Sequence, residues 1–190
     1  MRGIHQTEPE IRQELKVIET AKKDSRAFGL LYEKYYKPIY LFVYKRVDGK
    51  DTTEDLTSQV FLKAMVNLPK YQFKGVPFSA WLFRIASNEI NLYFRTSQKQ
   101  RAVNLEEGGI DRLADGITKD DDIDKVALVV KCINTLSEKD LEIIELRFFE
   151  KNSFKEVAYI LGIKETNAKV RVHRIIEKLK KVGKGMFGDE

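Results

Sequence analysis

Cysteine, histidine and long apolar runs are scarce in this chain, which has one cysteine, Cys132, and two histidines in 190 residues. One cysteine cannot form an intramolecular disulfide, and these side chains make a poor metal-binding inventory. We therefore expect a reducing cytoplasmic environment, no metal and no cofactor. No apolar run approaches the roughly 18 residues that span a bilayer, and residues 1–14 lack the apolar core of a secretory signal. Membrane insertion and export are therefore not expected.

Charge is distributed unevenly along the chain, although the net charge is only +5. Residues 104–124 carry eight acidic and two basic side chains, whereas residues 164–184 carry eight basic and two acidic ones. This separation is typical of a solvated tether and a basic working surface. Residues 98–124 are predicted to form a flexible acidic linker between two helical halves; a surface loop within a single domain is the alternative. The adjacent carboxylates of residues 120–122 are interpreted as solvated charge rather than metal ligands.

Apolar residues recur at spacings of three and four through the first half, which predicts helices and no strands. Pro38 is expected to interrupt the first of these stripes, and Thr52 is expected to cap the next helix. Residues 71–77 are predicted to be a loop, followed by a helix over residues 78–94. The buried faces of the helices on either side of that loop are predicted to contain Leu56, Val60, Phe61, Ala64, Met65 and Leu68, then Trp81, Leu82, Ile85 and Ile90.

The second half has the layout of a helix-turn-helix. Ser137 is predicted to cap one helix, and Ser153 with Glu156 fits a capping box that opens a shorter one. Ala158 lets two helices approach closely, and Gly162 can take the left-handed conformation that ends the shorter helix. Helices are predicted over residues 126–136, from residue 137 onward, over 154–161 and over 165–182.

The last helix is predicted to carry a basic face. If Ala168, Val172 and Ile175 point inward, the remaining side chains offer donors suited to phosphates and guanine edges. Arg171 is expected to grip a guanine through two donors, and Lys178 to bind a phosphate. An ordinary amphipathic helix with a solvated basic face is the competing interpretation, but the cap and turn glycine in register favour DNA binding. The outward-facing residues are Asn167, Lys169, Val170, Arg171, His173 and Arg174.

Several longer motifs fall into two groups along the chain. Residues 28–39 (Phe-Gly-Leu-Leu-Tyr-Glu-Lys-Tyr-Tyr-Lys-Pro-Ile) and 78–86 (Phe-Ser-Ala-Trp-Leu-Phe-Arg-Ile-Ala) form the first, and residues 134–149 and 153–180 form the second. The first group resembles region 2, and the second region 4, of the extracytoplasmic-function (group 4) sigma factors of the sigma-70 family. The resemblance implies an all-α fold of two small helical domains. Region 2 would cover residues 25–97 and region 4 residues 125–184, after an N-terminal extension, 1–24, of no assigned role.

The family's properties imply a function for each group. In this family region 2 binds the clamp helices of the RNA polymerase β′ subunit and reads the melted minus-ten element. Region 4 binds the β flap and reads the minus-thirty-five element as duplex. The resemblance therefore implies core RNA polymerase and promoter DNA as partners and promoter-specific transcription initiation without enzyme chemistry. It also implies an anti-sigma factor, which could hold the chain at the membrane.

The resemblance also implies roles for individual residues. The polymerase-binding positions are Asp55, Ser58, Gln59 and Leu62. The minus-ten positions are Tyr71, Phe73, Lys74, Arg84, Asn88 and Arg95. The minus-thirty-five positions are Thr166, Asn167, Lys169, Val170, Arg171, His173, Arg174 and Lys178. The chain departs from the family's usual residues at Ser58, Gln59, Lys164, Thr166 and Asn167.

Structural interpretations compete with several of these roles. Asp55 could be a first-turn acid that stabilises a helix N-terminus, and Tyr71 and Phe73 could simply pack the loop. Two other function classes are also open. A stand-alone helix-turn-helix regulator would need a sensing or dimerising domain in the first half, and a sigma-sequestering interaction protein would not need the basic helix.

Overall fold

The chain is all-helical over the part that the computed structural model describes, which comprises residues 8–97 and 135–187 with the single positions Leu113, Val129 and Ile133. These residues fall into two compact units, and neither described segment contains a strand. The predicted all-α fold with two small helical domains is therefore confirmed. The first unit contains residues 8–97 and the second residues 135–187.

Four helices form the described part of the first unit: α1 (Glu8–Lys23), α2 (Phe28–Tyr44), α3 (Lys50–Asn67) and α4 (Phe78–Ser97). One-turn 3-10 segments lie at Ser25–Ala27 and Leu68–Lys70. Apolar side chains from all four helices meet in one core, which includes Ile18, Ile39, Val60 and Leu82, each fully buried. The predicted loop over residues 71–77 is observed and joins α3 to α4.

Helix α1 lies within residues 1–24, for which the family resemblance implies an N-terminal extension of no assigned role. Its Ile18 and Ala21 are buried, and so is Glu14, which is only 5% exposed. The Glu14 carboxylate accepts a hydrogen bond from the Tyr35 hydroxyl and one from Lys34 Nζ at 2.6 Å, both on α2. A buried carboxylate is tolerated when it is paired in this way. Residues 8–23 are thus an integral part of the first unit.

Helix α2 runs without a break through Pro38, contrary to the interruption that the sequence analysis expected. Proline removes one backbone hydrogen bond and costs a helix about 3 kcal/mol. Tyr35 and Ile39, on either side of it, are both fully buried. The free energy gained by burying one continuous face of α2 outweighs the free-energy cost of Pro38 within the helix.

Helix α3 differs from the prediction at its start and on one face. It begins at Lys50, after Gly49 in the N-cap position with φ 89°, so Thr52 lies inside the first turn and is not the cap. Leu56, Val60 and most of the predicted stripe are buried, but Met65 is 42% exposed. Met65 therefore belongs to the surface of the unit.

Residues 135–187 of the second unit contain three helices: α5 (Glu138–Ile144), α6 (Phe154–Leu161) and α7 (Glu165–Phe187). A π-helical turn, Glu145–Phe149, extends α5. Both predicted caps are present, because Ser137 accepts from the Asp140 N–H and the Ser153–Glu156 capping box is complete. Gly162 ends α6 in the left-handed conformation, with φ 67°. The helix-turn-helix is confirmed.

Some expectations fall on positions outside the described residues. These are most of the acidic linker, the carboxylates of residues 120–122, and Cys132. Leu113, within the predicted linker, is described as helical and fully buried, which a fully solvated tether does not explain. Val129 and Ile133 are helical and buried, in agreement with the helix predicted over residues 126–136.

Candidate functional site

One face of α3 presents all four predicted polymerase-binding residues. They are spaced i, i+3, i+4 and i+7, so they share one side of the helix, and all are exposed. The exposed fraction of Leu62 is 58% and that of Val66, one turn later, is 66%. With Met65, these residues form an apolar continuation that the sequence analysis missed. The face comprises Asp55, Ser58, Gln59, Leu62, Met65 and Val66, and we call it the α3 face.

The two predicted stacking rings of the loop over residues 71–77 have different environments, one buried and one exposed. The Tyr71 side chain is only 6% exposed and packs against Phe78, edge-on at 5.3 Å between ring centroids, and against Trp81 at 5.0 Å. Its position in the core supports the loop-packing interpretation and leaves no free face for a base. Phe73 is 44% exposed and Lys74 is exposed beside it. Of the two rings, only Phe73 is accessible.

Helix α4 presents the other predicted minus-ten residues on one side. Arg84, Asn88 and Arg95 are spaced i, i+4 and i+11, which places them along a single helical face. Asn88 and Arg95 are exposed, and Arg84 is half-buried. The adjacent Glu89 points inward and is paired with Lys63 of α3 at 2.6 Å. An amide and two guanidinium groups therefore line the outer side of α4.

Helix α7 is oriented by a buried stripe, as the sequence predicted. Ala168, Val172, Ile175 and Leu179 are each no more than 5% exposed. Seven of the eight predicted minus-thirty-five residues are exposed, and Arg171 is half-buried. Five of the eight line a cleft of about 600 Å³ together with Asp140 of α5. Those five are Asn167, Val170, Arg171, Arg174 and Lys178, and we call this surface the α7 cleft.

Three of the predicted cations on α7 already have partners within the second unit. Lys169 is paired with Glu165 one turn earlier, at 2.7 Å. Lys178 donates to the Thr135 carbonyl at 3.1 Å. Arg171 donates to Oδ1 of Asp140 from both Nε and Nη2, at 3.0 Å each. Arg171 therefore differs from the sequence-based expectation in that part of its guanidinium is already bound to a carboxylate.

Arg174 differs from those three cations. It is exposed, and it makes no hydrogen bond or ion pair with another residue of the described segments. It lies one turn beyond Val170, which is 50% exposed. Further along the helix, the hydrogen bond from Lys180 lowers the pKa of the Glu177 carboxyl. Arg174 is thus a cation of the α7 cleft whose whole guanidinium is open to a ligand.

The described residues contain neither a metal-binding cluster nor a helix suited to a membrane. No three His, Cys, Asp or Glu side chains in the described segments lie close enough together to hold a metal ion. None of the described helices combines the length and apolar character that crossing a membrane requires.

Comparison with protein families gives two matches, one in each unit. The model of sigma-70 region 2 matches residues 31–100, and that of sigma-70 region 4 matches residues 132–181. Helix α1 precedes both matched regions. The two matches occur in the order that the sequence motifs predicted.

The chain is also similar in sequence to individual sigma factors. The chain is 30% identical over 168 residues to the ECF RNA polymerase sigma factor BldN of Streptomyces coelicolor, covering 87% of this chain and 64% of BldN. It is 28% identical over 176 residues to the ECF RNA polymerase sigma factor SigW of Bacillus subtilis, covering 87% of this chain and 94% of SigW. The chain thus spans less than two thirds of BldN but nearly all of SigW.

A solved structure shares the fold. CnrH, determined in complex with the cytosolic domain of CnrY, aligns with a TM-score of 0.58 and 21% identity, over 92% of this chain and 97% of CnrH. The two family matches and these relatives lead to one assignment. The chain belongs to the sigma-70 family of RNA polymerase sigma factors, in its extracytoplasmic-function group.

Proposed function

We propose that this chain binds core RNA polymerase and directs it to a specific set of promoters. The first unit binds the β′ clamp helices and captures the melted minus-ten element. The second unit binds the β flap and reads the minus-thirty-five element as duplex. The chain itself performs no bond-making chemistry, and it acts in the cytoplasm.

The orientation of α7 is the observation that carries this proposal. Its buried stripe turns the side chains of the α7 cleft outward, and the capped α6 with the left-handed Gly162 sets the angle between the two helices. A recognition helix in a major groove needs this combination of a fixed orientation and projecting donors. Arg174 and Asn167 supply donors suited to base edges, and Val170 supplies an apolar contact for a thymine methyl.

The α3 face supports the polymerase-binding part of the proposal. Leu62, Met65 and Val66 are large apolar side chains that the first unit leaves in solvent. Contiguous exposed apolar residues beside polar ones are typical of a protein–protein interface. Asp55 at the other end of the face adds a charge that can select the partner.

The minus-ten part of the proposal depends on Phe73 and on the outer side of α4. An unstacked base needs a π-face to stack on and a donor to read its edge. The exposed Phe73 ring offers the first, and Asn88 offers the second. Arg84 and Arg95 would follow the phosphates of the displaced strand.

An inhibitor that binds both units is a further part of the proposal. CnrH, which shares the fold, was solved with the cytosolic domain of CnrY. By analogy, we propose that an anti-sigma factor covers the DNA-facing surfaces of this chain and can hold it at the membrane. Cross-linking in uninduced cells tests this: a trapped partner other than polymerase supports it, and polymerase alone contradicts it.

Run-off transcription tests the central proposal. The full chain is added to core polymerase with a library of genomic promoter fragments, and transcripts are mapped by their 5′ ends. We expect transcripts from a limited set of fragments that share two elements at a fixed spacing. Binding to DNA without transcripts, and without association with core polymerase, would instead indicate a stand-alone helix-turn-helix regulator.

A further inference from the structure

The contact between Arg171 and Asp140 joins two helices that are far apart in sequence. Two donors of one guanidinium, Nε and Nη2, reach the same carboxylate oxygen at 3.0 Å across 31 residues. The exposed fractions of the side chains are 34% for Arg171 and 28% for Asp140. Asp140 is also the one acidic residue among the side chains that line the α7 cleft.

The position of Asp140 is itself fixed by its local structure. Its backbone N–H lies 3.3 Å from the Ser137 hydroxyl and 2.9 Å from the Ser137 carbonyl, so it belongs to the capped first turn of α5. Leu141 and Ile144 on the same helix are buried. Thr135, just before this turn, accepts the hydrogen bond of Lys178. The segment over residues 135–140 thus holds two side chains of α7.

The contact leaves most of the guanidinium available. An arginine side chain has five N–H donors, and Asp140 takes one on Nε and one on Nη2. Both donors on Nη1 and the second on Nη2 remain; one of the two on Nη1 and the free one on Nη2 are parallel and form the end-on edge of the group. Two parallel donors are what the O6 and N7 atoms of guanine accept. Arg171 can therefore bind Asp140 and a base at the same time.

We propose that Asp140 is a positioning residue that determines specificity: it holds the plane of the Arg171 guanidinium so that its free edge faces one base pair of the upstream element. This inference rests on the proposed function of α7. An unrestrained arginine would lose side-chain freedom on binding and could turn to a phosphate instead. Because Asp140 already restrains the Arg171 side chain, much of this loss of freedom has occurred before DNA binds.

A competing role makes the opposite prediction. If Asp140 only neutralised Arg171, its removal would free a cation and tighten the binding of every sequence alike. If it positions Arg171, its removal weakens the preference at the single base pair that Arg171 reads. Glu165 provides a matched control, because it also pairs with a cation of α7, Lys169, at 2.7 Å, but lies outside the α7 cleft.

The experiment compares base preferences of full-length variants bound to core polymerase. The probe is a library of duplexes with a randomised upstream segment, and the bound fraction is sequenced. The variants are Asp140→Ala, Asp140→Asn, Arg171→Ala, the double variant of Asp140 and Arg171, and Glu165→Ala. Circular dichroism and thermal unfolding verify that each is folded, and the isosteric Asp140→Asn variant serves if the alanine variant does not fold.

We expect Arg171→Ala to lose preference at one position by about ten-fold. Asp140→Ala should lose about three-fold at the same position, and the double variant should lose no more than Arg171→Ala. Glu165→Ala should keep the preference.

Full preference in Asp140→Ala, or tighter binding of all sequences alike, overturns the positioning role while leaving promoter reading by α7 intact. A wild-type chain that selects no sequence at all overturns the proposed function as well.

Discussion

Lys63 on α3 and Glu89 on α4 form an ion pair across the helix interface, with Nζ 2.6 Å from Oε2. The Glu89 side chain is 6% exposed, whereas that of Lys63 is 48% exposed. The pair fixes α3, which carries the α3 face, against α4, which carries Asn88 and Arg95. The pair adds to the apolar packing of Val60 and Leu82 that already sets the relative position of the two helices, and so of the two proposed surfaces.

Because only one partner of this pair is buried, we expect its two members to differ in their effect on stability. Lys63→Met leaves the Glu89 carboxylate buried without its partner and should lower the free energy of unfolding by about 1–3 kcal/mol. Glu89→Gln removes the charge and should cost less. Urea denaturation of the full chain measures both. Glu54→Ala, which breaks the exposed Lys50–Glu54 pair, is the control and should change stability by less than about 0.5 kcal/mol.

Substitutions at the two aromatic residues of the loop should have different effects, one on the stability of the chain and the other on promoter melting. Tyr71→Ala removes a ring packed on Phe78 and Trp81 and should cost about 3 kcal/mol of unfolding free energy. Phe73→Ala removes an exposed ring and should leave thermal unfolding nearly unchanged, but it should reduce open-complex formation about ten-fold through lost base stacking. Permanganate reactivity of promoter thymines reports the open complex. Normal melting with Phe73→Ala would remove this residue from the minus-ten site.

Charge reversal on the α3 face should weaken polymerase binding without unfolding the helix. Asp55 and Gln59 are both exposed, so changing both to Arg should leave the helical circular dichroism intact. We expect affinity for core polymerase to fall about ten-fold, since the double change replaces the one acidic charge of the proposed interface with two basic ones. Asn67→Arg, exposed on the same helix but off this face, is the control. Unchanged co-purification of the double variant with core enzyme would reject this site.

Arg174 and Lys178 should affect DNA binding in different ways. Arg174→Ala should relax the preference at one base pair, a loss of about 1–3 kcal/mol of discrimination. Lys178→Ala should lower the affinity for all DNA sequences. It should also reduce the slope of the logarithm of the binding constant against the logarithm of the salt concentration by about one unit. Thermal unfolding checks whether loss of the Lys178 hydrogen bond to Thr135 also destabilises the unit. An Arg174→Ala variant that weakens all promoter variants by the same factor would exclude base reading.

Features that depend on neighbouring residues were readable from the sequence. Ser153 and Glu156 bond to each other within the first turn of α6, and Gly162 bonds to carbonyls of its last turn. Because each partner is nearby in sequence, the residue types alone identify the capping box and the left-handed end of the helix. The buried stripe of α7 follows from helical spacing for the same reason. Helix periodicity and caps are therefore sufficient for the bounds of α6 and for the side of α7 that faces outward.

Features that depend on distant residues were not readable. Tyr71 is in the core because Phe78 and Trp81 surround it, and Pro38 stays helical because the whole face of α2 is buried. Glu14 and Tyr35 are 21 residues apart, and Asp140 and Arg171 are 31 apart.

By itself the sequence determined the helical character of both halves, the caps at Ser137 and Ser153, the turn at Gly162 and the basic side of α7, since these follow from interactions over a few residues. Only the tertiary structure decided which helix packs on which, which ring is accessible and which arginine is already bound, because burial and long-range pairing depend on the positions of all the helices together.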